Sequence, residues 1–283
     1  MQNNFTHCAS LVREHERDRY LASLFAPADK RDALNALFAF AIEIGRVREV
    51  AREPMPGEIR LQWWREVLEG QRDGEAAAHP VAEALRAAVA RYGLDAGRLI
   101  AFIDAHTFDL YDEPFATLDA LDNHAVLTEG VLLAMAAKIL GGEGFAVDVV
   151  TRHAGIALTV ARLLLALPRH ASRRQLYIPL EVLERHGVDR ETIFAGSDST
   201  ALDAALAELR RHARRQLQAA AMEAGDVPLA IMPALLPLAL TGPLLRRMDR
   251  RGYEPFAPEP LSRLRRQWLL WRAARDAKRI FAN

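Results

Sequence analysis

Few groups of side chains in this sequence combine the types and spacing that catalysis or ligand capture requires. Asp104, His106, Asp109 and Asp112 lie close together and include the donor types of a metal site. Residues two apart point to different helical faces, and no second histidine stands at ligand spacing, so no metal is expected there. A solvated face with a structural Asp109 is the simpler reading. Glu49 and Glu53 are four apart, a spacing that sets two carboxylates on one helical face and suits a hard cation. Pro54 follows at once and is expected to end the helix that would hold them. Arg173 and Arg174 precede Tyr177. A guanidinium matches phosphate oxygens in bidentate fashion, so this pair is a candidate anion site, with loop salt bridges as the alternative. His170 carries a side chain that could act as an acid or base near neutral pH; the alternative is a plain loop residue beside Pro168. Gln62, Trp63 and Trp64 read either as cavity lining and partner surface or as core packing.

Arginine supplies most of the positive charge and recurs in stripes. Arg210, Arg211, Arg214 and Arg215 share one helical face, as do Arg246, Arg247, Arg250 and Arg251. Each stripe would either dock on an acidic membrane or partner, or simply be solvated beside acids such as Glu208 and Asp249. Arg263, Arg265 and Arg266 lead into Trp268 and Trp271, which makes a basic, amphipathic C-terminal helix suited to membrane or partner contact.

Helices must position these groups. The chain has 283 residues, of which 51% are hydrophobic, enough to bury a core. Alanine, leucine, arginine and glutamate dominate, and no stretch keeps the period-two alternation of a strand. Breaks fall at Pro27 to Asp29, Pro54 to Gly57, His79-Pro80, Gly93, Pro114, Gly141-Gly142, Pro168, Gly187 and Gly196. About eight to eleven helices are expected, joined by short loops, in one domain spanning residues 1–283. The uncharged stretch Pro228 to Leu245 is long enough to span a bilayer, but its four prolines favour a buried, kinked core helix. Gly155 to Leu167 reads as a central buried helix interrupted by Arg162.

Charge and cysteine usage narrow the class further. Lysine plus arginine balance aspartate plus glutamate at 37 each, so there is no global drive toward nucleic acid. Cys8 is the sole cysteine, which removes an internal disulfide framework. The polar start from Met1 to Arg19 has no apolar signal core, and Glu14, Glu16 and Asp18 come early for a transit peptide. A cytoplasmic protein, possible contact with the inner membrane included, is the expectation.

Three segments resemble the squalene/phytoene synthase family. The first is Asp18-Arg-Tyr-Leu-Ala-Ser-Leu-Phe-Ala-Pro27 with Ala33 to Glu43, similar to the family's opening helices. The second is Asp109-Leu110 with the helix around Gly130 to Gly141. The third runs from Gly155 through Arg173-Arg-Gln-Leu-Tyr-Ile-Pro179 to Glu184 and Gly187. The resemblance implies an all-α isoprenoid-synthase bundle around a central cavity. It also implies chemistry in which aspartates at i and i+4 on two facing helices bind prenyl diphosphates through magnesium. Matching the first motif puts Gly45 and Glu49 at its acidic positions, and anchoring the second on Tyr177-Ile-Pro179 puts Ala166 and His170 there. One carboxylate of four remains.

Those departures, with Phe40 to Glu43, Arg60-Leu-Gln-Trp-Trp64, Pro168 to Pro179 and His212-Ala-Arg214, are similar to the family's non-catalytic branch. That branch includes a mitochondrial assembly factor for respiratory complex I. What the resemblance implies is therefore a non-catalytic assembly or isoprenoid- and lipid-binding protein without a cofactor, with complex I subunits or a lipid as partner. Glu49 and His170 would be remnant motif positions, and Arg173, Arg174, Tyr177, Glu43 and Gln62 the ligand-binding candidates. The alternative is a prenyl-diphosphate condensing transferase that uses magnesium at an altered site.

Overall fold

The computed structural model describes residues 2–51 and 53–282, and every regular element among them is helical. The first half holds α1 (Gln2–His15), α2 (Arg17–Ser23), α3 (Ala28–Gly45), α4 (Val47–Val50), α5 (Pro54–Leu68), α6 (Asp73–Ala78), α7 (Pro80–Tyr92), α8 (Ala96–His106) and α9 (Leu118–Ala125). The second holds α10 (Val131–Leu140), α11 (Phe145–Leu165), α12 (Leu167–Ser172), α13 (Leu180–Arg185), α14 (Arg190–Phe194), α15 (Thr200–Glu223), α16 (Met232–Leu235), α17 (Thr241–Met248) and α18 (Arg263–Arg275).

Local chemistry sets many of these boundaries. Asp95, Thr117 and Ser199 each accept a hydrogen bond from a backbone N–H three residues on, which starts α8, α9 and α15. Gly93 and Gly141 end α7 and α10 with φ of 59° and 96°, a conformation that glycine takes without steric cost.

The eighteen segments exceed the number expected from proline and glycine alone. The excess comes from kinks those residues do not mark. At Glu16 the chain turns from α1 into α2 while the backbone ladder continues, Glu16 N–H donating to Val12 and Tyr20 N–H to Glu16. At Arg46 the same happens between α3 and α4. The apolar stretch after Pro228 is one kinked, mostly buried helical run, Leu229–Met248, as expected, but its segments alternate in type. It splits into a 3₁₀ turn at Leu229–Ile231, α16, a second 3₁₀ turn at Leu236–Leu240, and α17. Pro233 and Pro237 each remove a donor from the ladder, so a continuous α-helix cannot form. Two windows, Leu118–Leu140 and Leu229–Met248, are apolar and long enough to cross a membrane, yet 67% and 61% of them is buried inside the fold.

The apolar residues gather in two clusters that meet on α11. One joins α1, α3, α5, α7, α8 and α10 to the C-terminal segments and includes Val150, Ala154 and Ala157 of α11. The other joins α9, α12, α13, α15 and α17 and includes Ile156, Val160 and Leu164 of the same helix. α11 is thus the central element, buried on several sides as its composition implies. Between α9 and α10 the helix widens into one π turn, Val126–Gly130. Gly155 of α11 packs directly on it: a Cβ at Gly155 would lie 2.5 Å from the Gly130 nitrogen. This close approach seats the π turn, and the side chain of Glu129 within it, against the middle of α11.

Candidate functional site

The helices enclose a cavity of about 500 Å³, lined from α2, α3, α4, α8, α9, α11 and α12, the π turn, and the stretch after α12. All four positions matched to the family's acidic motifs, Gly45, Glu49, Ala166 and His170, lie on its wall. Ala166 occupies the break between α11 and α12, with ψ near 1°. Pro168 accounts for the break, since it has no N–H to give to Leu164. The chain recovers at His170, whose N–H donates to the Ala166 carbonyl at 3.0 Å.

The inner wall is a charge network. Arg162 on α11 donates to Glu129 at 2.6 Å and to Glu16 at 3.2 Å. Arg19 on α2, with its side chain only 4% exposed, also pairs with Glu129. Burial by itself would raise the Glu129 carboxyl, but the Arg162 and Arg19 guanidiniums outweigh it and hold the group below the usual carboxylate range. Burial would lower Arg162, and Glu129, Glu16 and Asp18 more than reverse that. One buried Glu thus ties the N-terminal helices to the centre of the bundle.

The opposite wall is built on Asp109. His106 Nδ1 lies 2.7 Å from its carboxylate, and the Tyr177 hydroxyl donates to it as well. Burial pushes the Asp109 carboxyl up, yet these partners, with the nearby His124, bring it below its ordinary value. The His170 ring lies 4.7 Å from that of Tyr177, and His124 sits 6.1 Å from His106. Burial lowers both His124 and His170 to about 4, so both are neutral at physiological pH. Burial first, and Asp109 second, raises the Tyr177 phenol. Phe108 and Phe115 stack at 4.3 Å beside this cluster.

At the mouth, Glu49 accepts from Arg173 at 3.3 Å and lies 3.6 Å from Arg46. Arg48 pairs with Asp112 at 3.1 Å. Arg169 has no carboxylate at ion-pair distance among the described residues. In all, six arginines line the cavity against Glu16, Glu49, Asp109 and Glu129. Between the walls the lining is apolar, with Phe38, Ile42, Phe102, Leu132 and Leu163. The buried Thr159 hydroxyl on this lining has no hydrogen-bond partner.

This donor set does not fit magnesium. A hard cation wants several convergent oxygens. The motif positions offer one carboxylate, already paired with arginine, one imidazole, and two side chains with no donor. Among the described residues no group of three His, Cys, Asp or Glu stands ready to hold a metal ion. The surplus guanidiniums instead suit an anion bound directly.

Of the seven residues singled out as remnants or ligand contacts, Glu49, His170, Arg173 and Tyr177 line the cavity; Glu43, Gln62 and Arg174 do not. Glu43 lies two residues from Gly45, on another face of α3, and meets His79 at 3.5 Å. Gln62 is exposed on α5, hydrogen-bonded to Glu66 and Arg65 at 3.0 Å, in a separate groove. Arg174 adopts φ of 55°, which turns it away to pair with Glu191 at 2.7 Å and lie over Phe194. Trp64 is core, buried against Phe40 at 5.1 Å. The aspartates around His106 disperse: Asp104 pairs with Arg65, Asp112 with Arg48, and Asp109 alone enters the cavity. The sequence reading missed Arg19, Glu129 and the inward role of Arg162. For Glu129 and Arg162 the signal was a charge standing in an apolar helical run; Arg19, inside the charged run His15 to Arg19, had no such signal.

The profile of the squalene/phytoene synthase family matches residues 12–272. A mouse protein named complex I assembly factor 6 is 29% identical over 252 residues, which is 89% of this chain and 76% of that protein. A phytoene synthase of Thermus thermophilus is 26% identical over 217 residues, covering 76% of this chain and 72% of its own. Among solved structures, a dehydrosqualene synthase superposes with a TM-score of 0.82 over 98% of this chain and 97% of its own, at 16% identity, which speaks for the fold.

Proposed function

Because the chain belongs to the squalene/phytoene synthase family, we propose that it keeps the family's cavity for binding rather than synthesis. It acts as a non-catalytic assembly factor related to complex I assembly, on the cytoplasmic side at the inner membrane. The observation that supports this most directly is the make-up of the cavity wall. Gly45, Glu49, Ala166 and His170 present a single carboxylate, and the remaining interior acids are tied to arginine, histidine or tyrosine. Likeness to proteins named for complex I assembly directs the reading toward that complex.

The retained cavity would hold an amphiphile such as an isoprenoid or lipid. Its tail would lie along Phe38, Phe102, Leu132 and Leu163, and an anionic head would meet Arg169 and Arg173 without a metal. No step of a condensation is assigned to any residue, since none of them fits the magnesium such a step needs. Two measurements test the proposal. Deleting the gene should lower assembled complex I and its NADH oxidation in membranes; unchanged assembly would sink it. The purified protein with magnesium and farnesyl or geranylgeranyl diphosphate should release no pyrophosphate above a heat-killed control. Release would make it a condensing transferase with an altered metal site.

A further inference from the structure

A second basic pocket lies away from the central cavity. α17, the turn after it, and the start of α18 enclose about 310 Å³ lined by Pro243, Arg246, Arg247, Asp249, Arg250, Leu261 and Arg265. Its one acid is already taken, because Asp249 accepts from Arg210 at 2.7 Å and from Arg214. Arg247 pairs with Glu259. Arg246, Arg250 and Arg265 converge on this pocket with no carboxylate at ion-pair distance among the described residues. Three guanidiniums held together without a counter-charge repel one another, and an anion in the pocket relieves that repulsion.

The helix that carries Arg265 also carries an exposed apolar ridge. Leu264, Trp268 and Trp271 recur at i, i+4 and i+7, and they are 79%, 50% and 43% exposed. α18 has five arginines and no acid, and among the described residues only Arg266 of the five forms an ion pair, with Asp18. Arg272 and Arg275 lie flat over Trp268 and Trp271, 4.3 and 3.7 Å from the ring centroids. Indole with guanidinium alongside is the arrangement that sits at the boundary between acyl chains and headgroups. A slot whose leucines Leu158, Leu165, Leu240 and Leu244 stand beside the charged Asp18, Arg162 and Arg266 adjoins the basic pocket through the shared Leu261.

We propose that this face, Arg246, Arg250 and Arg265 with the Leu264–Trp268–Trp271 ridge, docks the protein on an anionic phospholipid surface. Lipid phosphates enter the basic pocket, and the ridge enters the headgroup region. Charge complementarity selects a bilayer over a protein partner. The pocket is open, lacks a hydrogen-bonding frame of its own, and stands beside aromatic side chains that a bilayer boundary accommodates. The inference deepens the membrane-side location proposed above and is separate from the cavity, so complex I assembly and vesicle binding fail independently.

Flotation of the full chain with phosphatidylcholine vesicles, with and without phosphatidylglycerol, tests it. Binding should require phosphatidylglycerol and fade as salt is raised. The triple variant Arg246→Gln, Arg250→Gln, Arg265→Gln should bind roughly tenfold more weakly or worse, because each basic residue near the surface contributes to the attraction. Trp268→Ser should also weaken binding, and brominated lipid should quench the fluorescence of the unaltered chain. Arg190→Gln, an exposed arginine on α14, should change nothing. Should the triple variant fail to fold, Arg250→Gln alone, in an exposed turn, carries the same expectation to a smaller degree. No flotation with phosphatidylglycerol at low salt, equal flotation with neutral vesicles, or unaltered binding by the folded variants would each overturn the proposal.

Discussion

At Glu129 two guanidiniums from distant parts of the chain converge on one carboxylate. It joins Arg19 from the N-terminal helices to Arg162 on the central helix; Arg19 and Glu129 are shielded from bulk water, while Arg162 is 37% exposed at the cavity. Breaking a buried pair by removing one partner costs more than the pair is worth, because a bare charge remains. Glu129→Gln should therefore lower stability by about 3 kcal/mol, seen as a fall in the urea midpoint. Adding Arg162→Met to that variant should recover part of the loss, since one of the stranded cations goes with it. The histidines set a second expectation. His124 and His170 have ordinary values of 6.5 and are lowered to about 4 in the fold, so between those values the unfolded chain binds more protons. Stability is then fully present above pH 6.5 and declines as pH falls toward 4. The melting temperature should drop by roughly 10 °C or more across that window, and His170→Gln should flatten the slope.

At the scale of elements, the contact between Gly155 on α11 and the π turn is the tightest in the site. A methyl at Gly155 would stand 2.5 Å from the Gly130 nitrogen and 2.7 Å from its Cα, and both are backbone atoms that cannot swing aside. Gly155→Ala should cost about 3 kcal/mol, more than a typical overpacked side chain, and calorimetry of the purified variant measures it. Sequence pattern located α11 correctly but could not show what lies against it. The helix interruption at Ala166 was readable from Pro168, because the missing N–H is a local property. The kinks at Glu16 and Arg46 were not, since no proline or glycine marks the one and Gly45 continues the helix at the other. They follow from neighbouring helices that bend the chain around the cavity.

Across the whole molecule, the fold surrounds a cavity of about 500 Å³ whose wall carries six arginines and four acids. Carboxylates on the wall are paired, Glu49 with Arg173 among them, while Arg169 stands at the mouth with no carboxylate at ion-pair distance among the described residues and is the group an anion would meet first. If the cavity binds an amphiphile without metal, a long-chain alkyl phosphate should raise the melting temperature, and EDTA should leave that shift unchanged. A ligand at a hundred times its Kd contributes about 2.7 kcal/mol, well within reach of a thermal-shift measurement. Loss of the shift in EDTA would instead point to a divalent cation in the site.

Helical class and the central place of α11 were legible from the sequence, because periodicity and proline placement are local; that Glu49, His170, Arg173 and Tyr177 share one cavity was an implication of the family resemblance alone. Resemblance supplied the family and the motif register, which composition does not contain. Tertiary structure decided the rest. Glu43 and Gln62 carry suitable groups on the wrong helical faces, and Arg174 turns away at a left-handed backbone position. Arg19, Glu129 and Arg162 are far apart in the chain and meet only when α2, the π turn and α11 pack together. A buried charge pair depends on two segments excluding water at once, and no window along the sequence records that.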